Sequence, residues 1–229
     1  MELEENIARV RERMAAASYR AGRQPEDIRL VAVSKNVAPA LIRRAYEAGL
    51  RDFGENRVQE AAAKRSALSD LTCVWHLIGH LQTNKATTAR ELFHWVHSVD
   101  SARVAQKLDQ AAVSGGDRLH VLVQVRLGDE PTKSGVPESE VLRLVEEVIA
   151  LDTLELRGLM AIPPFFEDPE QVRPFFRRLR ELARTAESAG LPKGHLPELS
   201  MGMSHDFEAA IEEGATIIRV GTAIFGKRT

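Results

Sequence analysis

Cysteine is nearly absent from this sequence. Cys73 is the only one in 229 residues, so the chain can form no disulfide with itself and cannot build a cysteine-based zinc site. A reducing, cytoplasmic location is the expectation that follows. No apolar run approaches the roughly 20 residues of a membrane span. The amino-terminal MELEENIARVRERM is a charged helix pattern that lacks the apolar core of a secretory signal. A charge excess of either sign is also missing. Lys and Arg number 31 against 33 Asp and Glu, a formal net charge of -2, which favours neither nucleic acid nor a membrane surface as partner. There is no low-complexity tract, no evident linker and no sequence repeat, so residues 1–229 read as a single domain.

What the sequence does contain is a regular alternation of strand and helix patterns. Its anchor is Ile28 to Lys35, IRLVAVSK, a short run rich in Val and Ile that closes at Asn36 and Pro39. Strand parity places Lys35 on the same face as Val31 and Val33. Two readings of that lysine stand at this point. Its stem lies along a sheet edge with the ammonium in water, or its amine is a Schiff-base nucleophile, for which it must lose the proton it ordinarily holds up to about pH 10.4.

Before this strand, Leu3, Ile7, Val10 and Met14 recur at helical spacing. After it, helices are expected at 39–48, 57–68, 85–93, 101–113, 138–150, 169–189 and 204–213. Strands are expected at 52–55, 74–79, 95–99, 119–127, 154–162, 198–201 and 216–221, and the polar segment 128–135 reads as a mobile loop. Eight strands joined through helices argue for a parallel sheet closed into a (β/α)8 TIM barrel with an extra N-terminal helix. An open, doubly wound sheet is the alternative.

In such a barrel function belongs at the carboxyl ends of the strands. Lys35 ends the first, and Glu55 with Asn56 ends the second. Ser200, Met201, Gly202 and Ser204 follow the seventh, and Arg219, Gly221 and Thr222 end the eighth. Small hydroxyls and glycines after strands seven and eight are the ingredients of a phosphate cup, with backbone N–H groups as donors. An amine opposite a phosphate cup suits pyridoxal 5′-phosphate, which carries an aldehyde and a phosphate at opposite ends. Arg219 would then face the pyridine nitrogen, where a permanent cation discourages ring protonation. His76 and His80 are four apart but lack a carboxylate cluster, so no metal is expected, and Glu55 is left to pair with either Lys35 or Lys85.

The segments VAVSKNVAPALI, DFGENRVQE, WHLIGHLQTNK, TKSG, RGLMAIP and LSMGMSHDFEAAIEEGATIIRVGTAIFG together resemble the pyridoxal phosphate homeostasis proteins over nearly the whole chain. The resemblance implies a monomeric barrel similar to that of alanine racemase. Such a protein carries or buffers cofactor for the apo-enzymes that receive it and has no established catalytic turnover. It also implies a Schiff base on Lys35, phosphate contacts from Ser200, Ser204, Gly221 and Thr222, Arg219 at the ring nitrogen and Asn56 on the ring's hydroxyl side; Met201 is counted with the cofactor-binding residues as a side chain packing around the ring or the core. A pyridoxal phosphate-dependent racemase-like enzyme is the competing expectation. Alanine racemase uses a tyrosine as second base, whereas the two tyrosines here, Tyr19 and Tyr46, fall on helices flanking the first strand.

Overall fold

A computed structural model describes residues 2–112, 116–128, 134–189 and 196–226. Short runs of Val, Ile and Leu form strands because each can bury both faces, one toward the barrel axis and one toward a helix. The barrel strands are β1 (Arg29–Val33), β2 (Asp52–Glu55), β3 (Val74–Leu77), β4 (Trp95–Val99), β5 (Leu119–Arg126), β7 (Leu154–Ala161), β8 (Glu198–Ser200) and β9 (Ile217–Val220). All their pairings are parallel, and β9 pairs with β1 while β4 pairs with β5, which closes the ring. Among the described residues one further strand, β6 (Val136–Pro137), lies beside Val125 and Arg126 at the end of β5.

The helices are α1 (Glu2–Arg20), α2 (Pro39–Glu47), α3 (Val58–Ala67), α4 (Ala86–Leu92), α5 (Ala102–Gln110), α6 (Val141–Ile149), α7 (Arg173–Ser188), α8 (Phe207–Glu212) and α9 (Thr222–Phe225). Extra to the barrel repeat, α1 buries Leu3, Ile7, Val10 and Ala17 and packs on α8 and α9. The main core lies between strands and helices. A second cluster of Val31, Trp95, Leu122, Met160 and Ile217 fills the barrel itself. No helix among the described residues is long and apolar enough to cross a membrane.

Several boundaries differ from expectation for local reasons. The first strand stops at Val33, two residues before Lys35, because Asn36 takes a left-handed φ of 58° and turns the chain, although Ser34 N–H still bonds Gly54 O at 2.9 Å. The segment 169–189 begins as a 3-10 turn at Pro169–Val172. The α-helix starts at Arg173, with Pro174 in its first turn, where a missing N–H costs nothing. The helix expected from Ser204 begins at Phe207, and the Asp206 carboxylate accepts from Met203 N–H at 2.6 Å. Residues 129–133 of the expected mobile loop, and residue 113 of the fifth expected helix, lie outside the described residues.

Gly158 shows how tightly the ring is drawn. It pairs with Glu198 of β8, and a Cβ placed on it would stand 1.9 Å from the Glu198 carbonyl oxygen. Backbone cannot yield there without parting β7 from β8. Gly158→Ala is therefore expected to cost about 3 kcal/mol or more of stability, at the severe end for single substitutions, measured by urea denaturation. An unchanged midpoint would show that the strands separate cheaply.

Candidate functional site

Parity along each strand decides what faces the barrel axis. On β1, Val31 points inward and Ala32 outward; Val33 and Lys35 continue the inward series and line a cavity of about 520 Å³ at the carboxyl end of the barrel. Asn56, Gly79, His80 and Gln124 line it from β2, β3 and β5, and Ser204, Arg219, Gly221 and Thr222 line it from the last two strands. Ile162 and Phe165 stand at its rim, and Phe165 is 73% exposed.

Of the residues singled out in the sequence, Lys35, Asn56, Ser204, Arg219, Gly221 and Thr222 meet in this cavity. Ser200 and Met201 do not. Ser200 faces the barrel axis but is fully buried behind Arg219, whose Nη1 donates to its Oγ at 2.6 Å. Met201, one residue on, faces the opposite way and belongs to the core between strands and helices. The two sides of one strand cannot both reach the cavity. Gln124, His80, Met203 and His205 line it without having been expected to; for Gln124 the inward parity on β5 was the available signal.

Lys35 is held through its neighbours. Lys64 Nζ donates to Ser34 O at 2.6 Å, to Glu55 Oε1 at 2.8 Å and to Glu60 Oε1 at 2.6 Å, while Glu60 Oε1 also accepts from Asn36 N–H at 2.5 Å. The residues on both sides of Lys35 are thus tied to α3. Glu55 pairs with Lys64, and neither Lys35 nor Lys85 is its partner. Parity again explains this, because Glu55 and Ser34 face the helix layer; burial pushes the Glu55 carboxyl up from its ordinary range.

At the other side of the cavity, Ser204 Oγ accepts from Gly221 N–H at 3.1 Å and from Ala223 N–H at 3.3 Å. That oxygen marks a point where backbone donors at the start of α9 converge. Arg219 also donates from Nη2 to Ala161 O at 2.9 Å, and burial lowers its pKa to about 10, opposed only by the charge of Asp206. The arrangement can seat a ligand that is anionic at one end and carries an electrophilic carbon within reach of an amine.

The family model for the alanine racemase N-terminal domain matches residues 2–229. The pyridoxal phosphate homeostasis protein of Aquifex aeolicus is 46% identical over 224 residues, covering 98% of this chain and 97% of its own length. The protein of the same name from Pseudomonas aeruginosa is also 46% identical over 224 residues, with 98% and 95% covered. Among solved structures, PipY of Synechococcus elongatus with pyridoxal phosphate bound superposes with a TM-score of 0.86 at 40% identity, across 98% of this chain and all of that one.

Behind the cavity, His76 and His97 are fully buried, 3.0 Å apart between Nδ1 and Nε2. Burial depresses both, His97 well below the ordinary range, with the charges of His76 and Arg219 adding to the effect on His97 and Asp52 opposing it on His76. The unfolded chain takes up protons on these rings below about pH 6.5 and the folded chain does not, so their contribution to stability is lost as pH falls from there. His97→Gln removes one such group. Its stability is expected to fall less steeply than that of the parent protein between pH 7 and 5, by up to about 1.4 kcal/mol per pH unit, in urea titrations at stepped pH. Equal slopes would mean that His97 protonates in the folded state.

Proposed function

The chain belongs to the pyridoxal phosphate homeostasis proteins, within the family of the alanine racemase N-terminal domain, and on that premise we propose that it binds pyridoxal 5′-phosphate at the carboxyl end of its barrel and acts as a carrier or buffer of that cofactor. One observation carries the reading: Lys35, Arg219 and the Ser204–Gly221 donor site, three chemically unlike groups, converge on one cavity. Each has a counterpart on the ligand. The Lys35 amine takes the aldehyde carbon as a Schiff base, releasing water. Ser204, Gly221 and Thr222 hold the phosphate, Arg219 faces the ring nitrogen, and Asn56 takes the ring's hydroxyl side. The donor set fits, since one permanent cation, one amine and converging N–H groups match a dianion joined to an aldehyde.

When bound, the cofactor supplies an aldehyde and an electron-withdrawing ring. The residues around it limit what that ring can do. Arg219 has no proton acceptor to offer a protonated ring nitrogen, so it favours the neutral ring, which is the weaker electron sink. Neither tyrosine lines the cavity: Tyr19 is 64% exposed on α1, and Tyr46 lies under Arg51 at 3.9 Å. This favours a carrier that passes cofactor to apo-enzymes over a racemase-like enzyme, and we take that carrier to work as a single-domain monomer in the cytoplasm.

Borohydride reduction of the protein mixed with pyridoxal phosphate is expected to leave the reduced adduct on the peptide bearing Lys35, and Lys35→Ala is expected to yield none. An adduct on Lys85, or none with cofactor in excess, refutes the site.

The second expectation concerns turnover. Loss of α-deuterium from a panel of amino acids should proceed no faster with the loaded protein than slow exchange allows. Saturable loss at about 1 s⁻¹ or above, within the common range of enzymes, and abolished by Lys35→Ala, would establish catalysis instead.

A further inference from the structure

Barrel interiors are ordinarily packed with branched aliphatic side chains. Here His76, His97, Ser200 and Arg219, each at most 3% exposed, share it with the cluster of Val31, Trp95, Leu122, Met160 and Ile217, and the four polar residues are joined end to end. Arg219 Nη1 donates to Ser200 Oγ at 2.6 Å, and Ser200 Oγ lies 2.9 Å from His97 Nδ1. His97 Nε2 lies 3.0 Å from His76 Nδ1, and His76 Nε2 lies 2.9 Å from Asp52 Oδ1. Asp52 is the first residue of β2, at the end of the barrel away from the cavity, where Arg29 pairs with it at 3.2 Å. The chain of contacts crosses the barrel from the pocket wall to its far mouth.

The two termini fix its direction. A guanidinium only donates and a carboxylate only accepts, while a hydroxyl and a neutral imidazole each do both. His76 must carry its hydrogen on Nε2 to reach Asp52, whose carboxyl is held below its ordinary range by His76 and Arg29 against the effect of burial. Its Nδ1 must then accept from His97 Nε2–H. His97 Nδ1 must in turn accept the Ser200 O–H, which leaves the Ser200 lone pairs to Arg219. Four contacts take four hydrogens, all pointing from Arg219 toward Asp52. A fifth proton on either ring would place two hydrogens in one contact, and an acceptor lost anywhere would strand a buried donor.

We infer that Asp52, His76, His97 and Ser200 are positioning residues for the ligand pocket, a one-way hydrogen-bond relay that commits the Ser200 O–H to His97, turns the Ser200 lone pairs to Arg219 and so fixes how Arg219 presents its remaining N–H bonds to the cavity. This rests on the reading of that cavity as a pyridoxal phosphate site. The relay couples the two ends of the barrel. A perturbation of His76 or Asp52 alters the acceptor that Arg219 meets, and ligand at Arg219 alters the electron density on the histidine rings.

Two measurements test it. Long-range ¹H–¹⁵N NMR spectra of the ligand-free protein at pH 7 should show His76 and His97 both neutral with the hydrogen on Nε2. Adding pyridoxal phosphate should move the ring signals of His97, and to a lesser degree those of His76, without changing the tautomer. His97→Leu should weaken pyridoxal phosphate binding about five- to tenfold and shift the absorption maximum of the bound cofactor. A hydrogen on Nδ1 of either ring, a cationic ring, or ring signals indifferent to ligand overturns the relay, and these outcomes need no variant to fold. Binding and absorption in folded His97→Leu equal to the parent's defeat the positioning role while leaving the pocket reading intact. Absence of binding to the parent protein defeats the pocket reading, and the positioning role with it.

Discussion

In a closed ring of parallel strands, the pleat sends alternate residues to the axis and to the helix layer, with no edge at which a side chain escapes the choice. The site depends on that constraint. It places Val31, Val33 and Lys35 in one inward series and aims Arg219 at the axis beside Ser200. The same rule sends Ser34 and Glu55 outward, where Lys64 ties them to α3, so the lysine that faces the cavity and the network that steadies it lie on opposite sides of one strand end. Closure makes this binding, since a slip of one residue on any strand would exchange the two sets.

A buried cation gives the cavity its electrostatic character. Arg219 is buried, and its direct partners among the described residues are a hydroxyl and a main-chain carbonyl, with no carboxylate among them. A guanidinium so placed loses water without recovering a full opposite charge, which accounts for its lowered pKa. The deficit favours an anionic guest. Ser204, Gly221 and Ala223 add neutral donors nearby, so the anion can be met by dipoles at one end while the fixed positive charge acts from the barrel floor.

Much of this was legible in the sequence, because the signals involved are local. Runs such as Leu119–Arg126 and Leu154–Ala161 declare strands by composition, and glycines and prolines mark their ends. Lys35, Asn56, Ser204, Arg219, Gly221 and Thr222 share the cavity because each stands at a strand end, and strand ends in a parallel barrel share one face. What stayed hidden depends on register between strands distant in sequence. Parity alone puts Ser200 inside, but only the stagger of β8 against β9 sets it one layer below the cavity, behind Arg219. The pairing of His76 with His97 needs the β3–β4 register, and the choice of Lys64 as partner for Glu55 needs the packing of α3 on β2. Those are tertiary facts with no short-range signature.

The clamp around Lys35 also sorts the amines of this region. Lys64 and Lys35 stand on either side of the same strand end, yet each N–H of the Lys64 ammonium has its own acceptor in Ser34 O, Glu55 and Glu60, and its side chain is 7% exposed. A side chain so committed turns its nitrogen away from the cavity. Lys35 is held through its flanking backbone, and its side chain has no hydrogen-bond partner among the described residues where it lines the cavity. On the proposed reading, an aldehyde arriving from solvent would meet one available nitrogen at this strand end rather than two, and selectivity between the two lysines would come from silencing the neighbour.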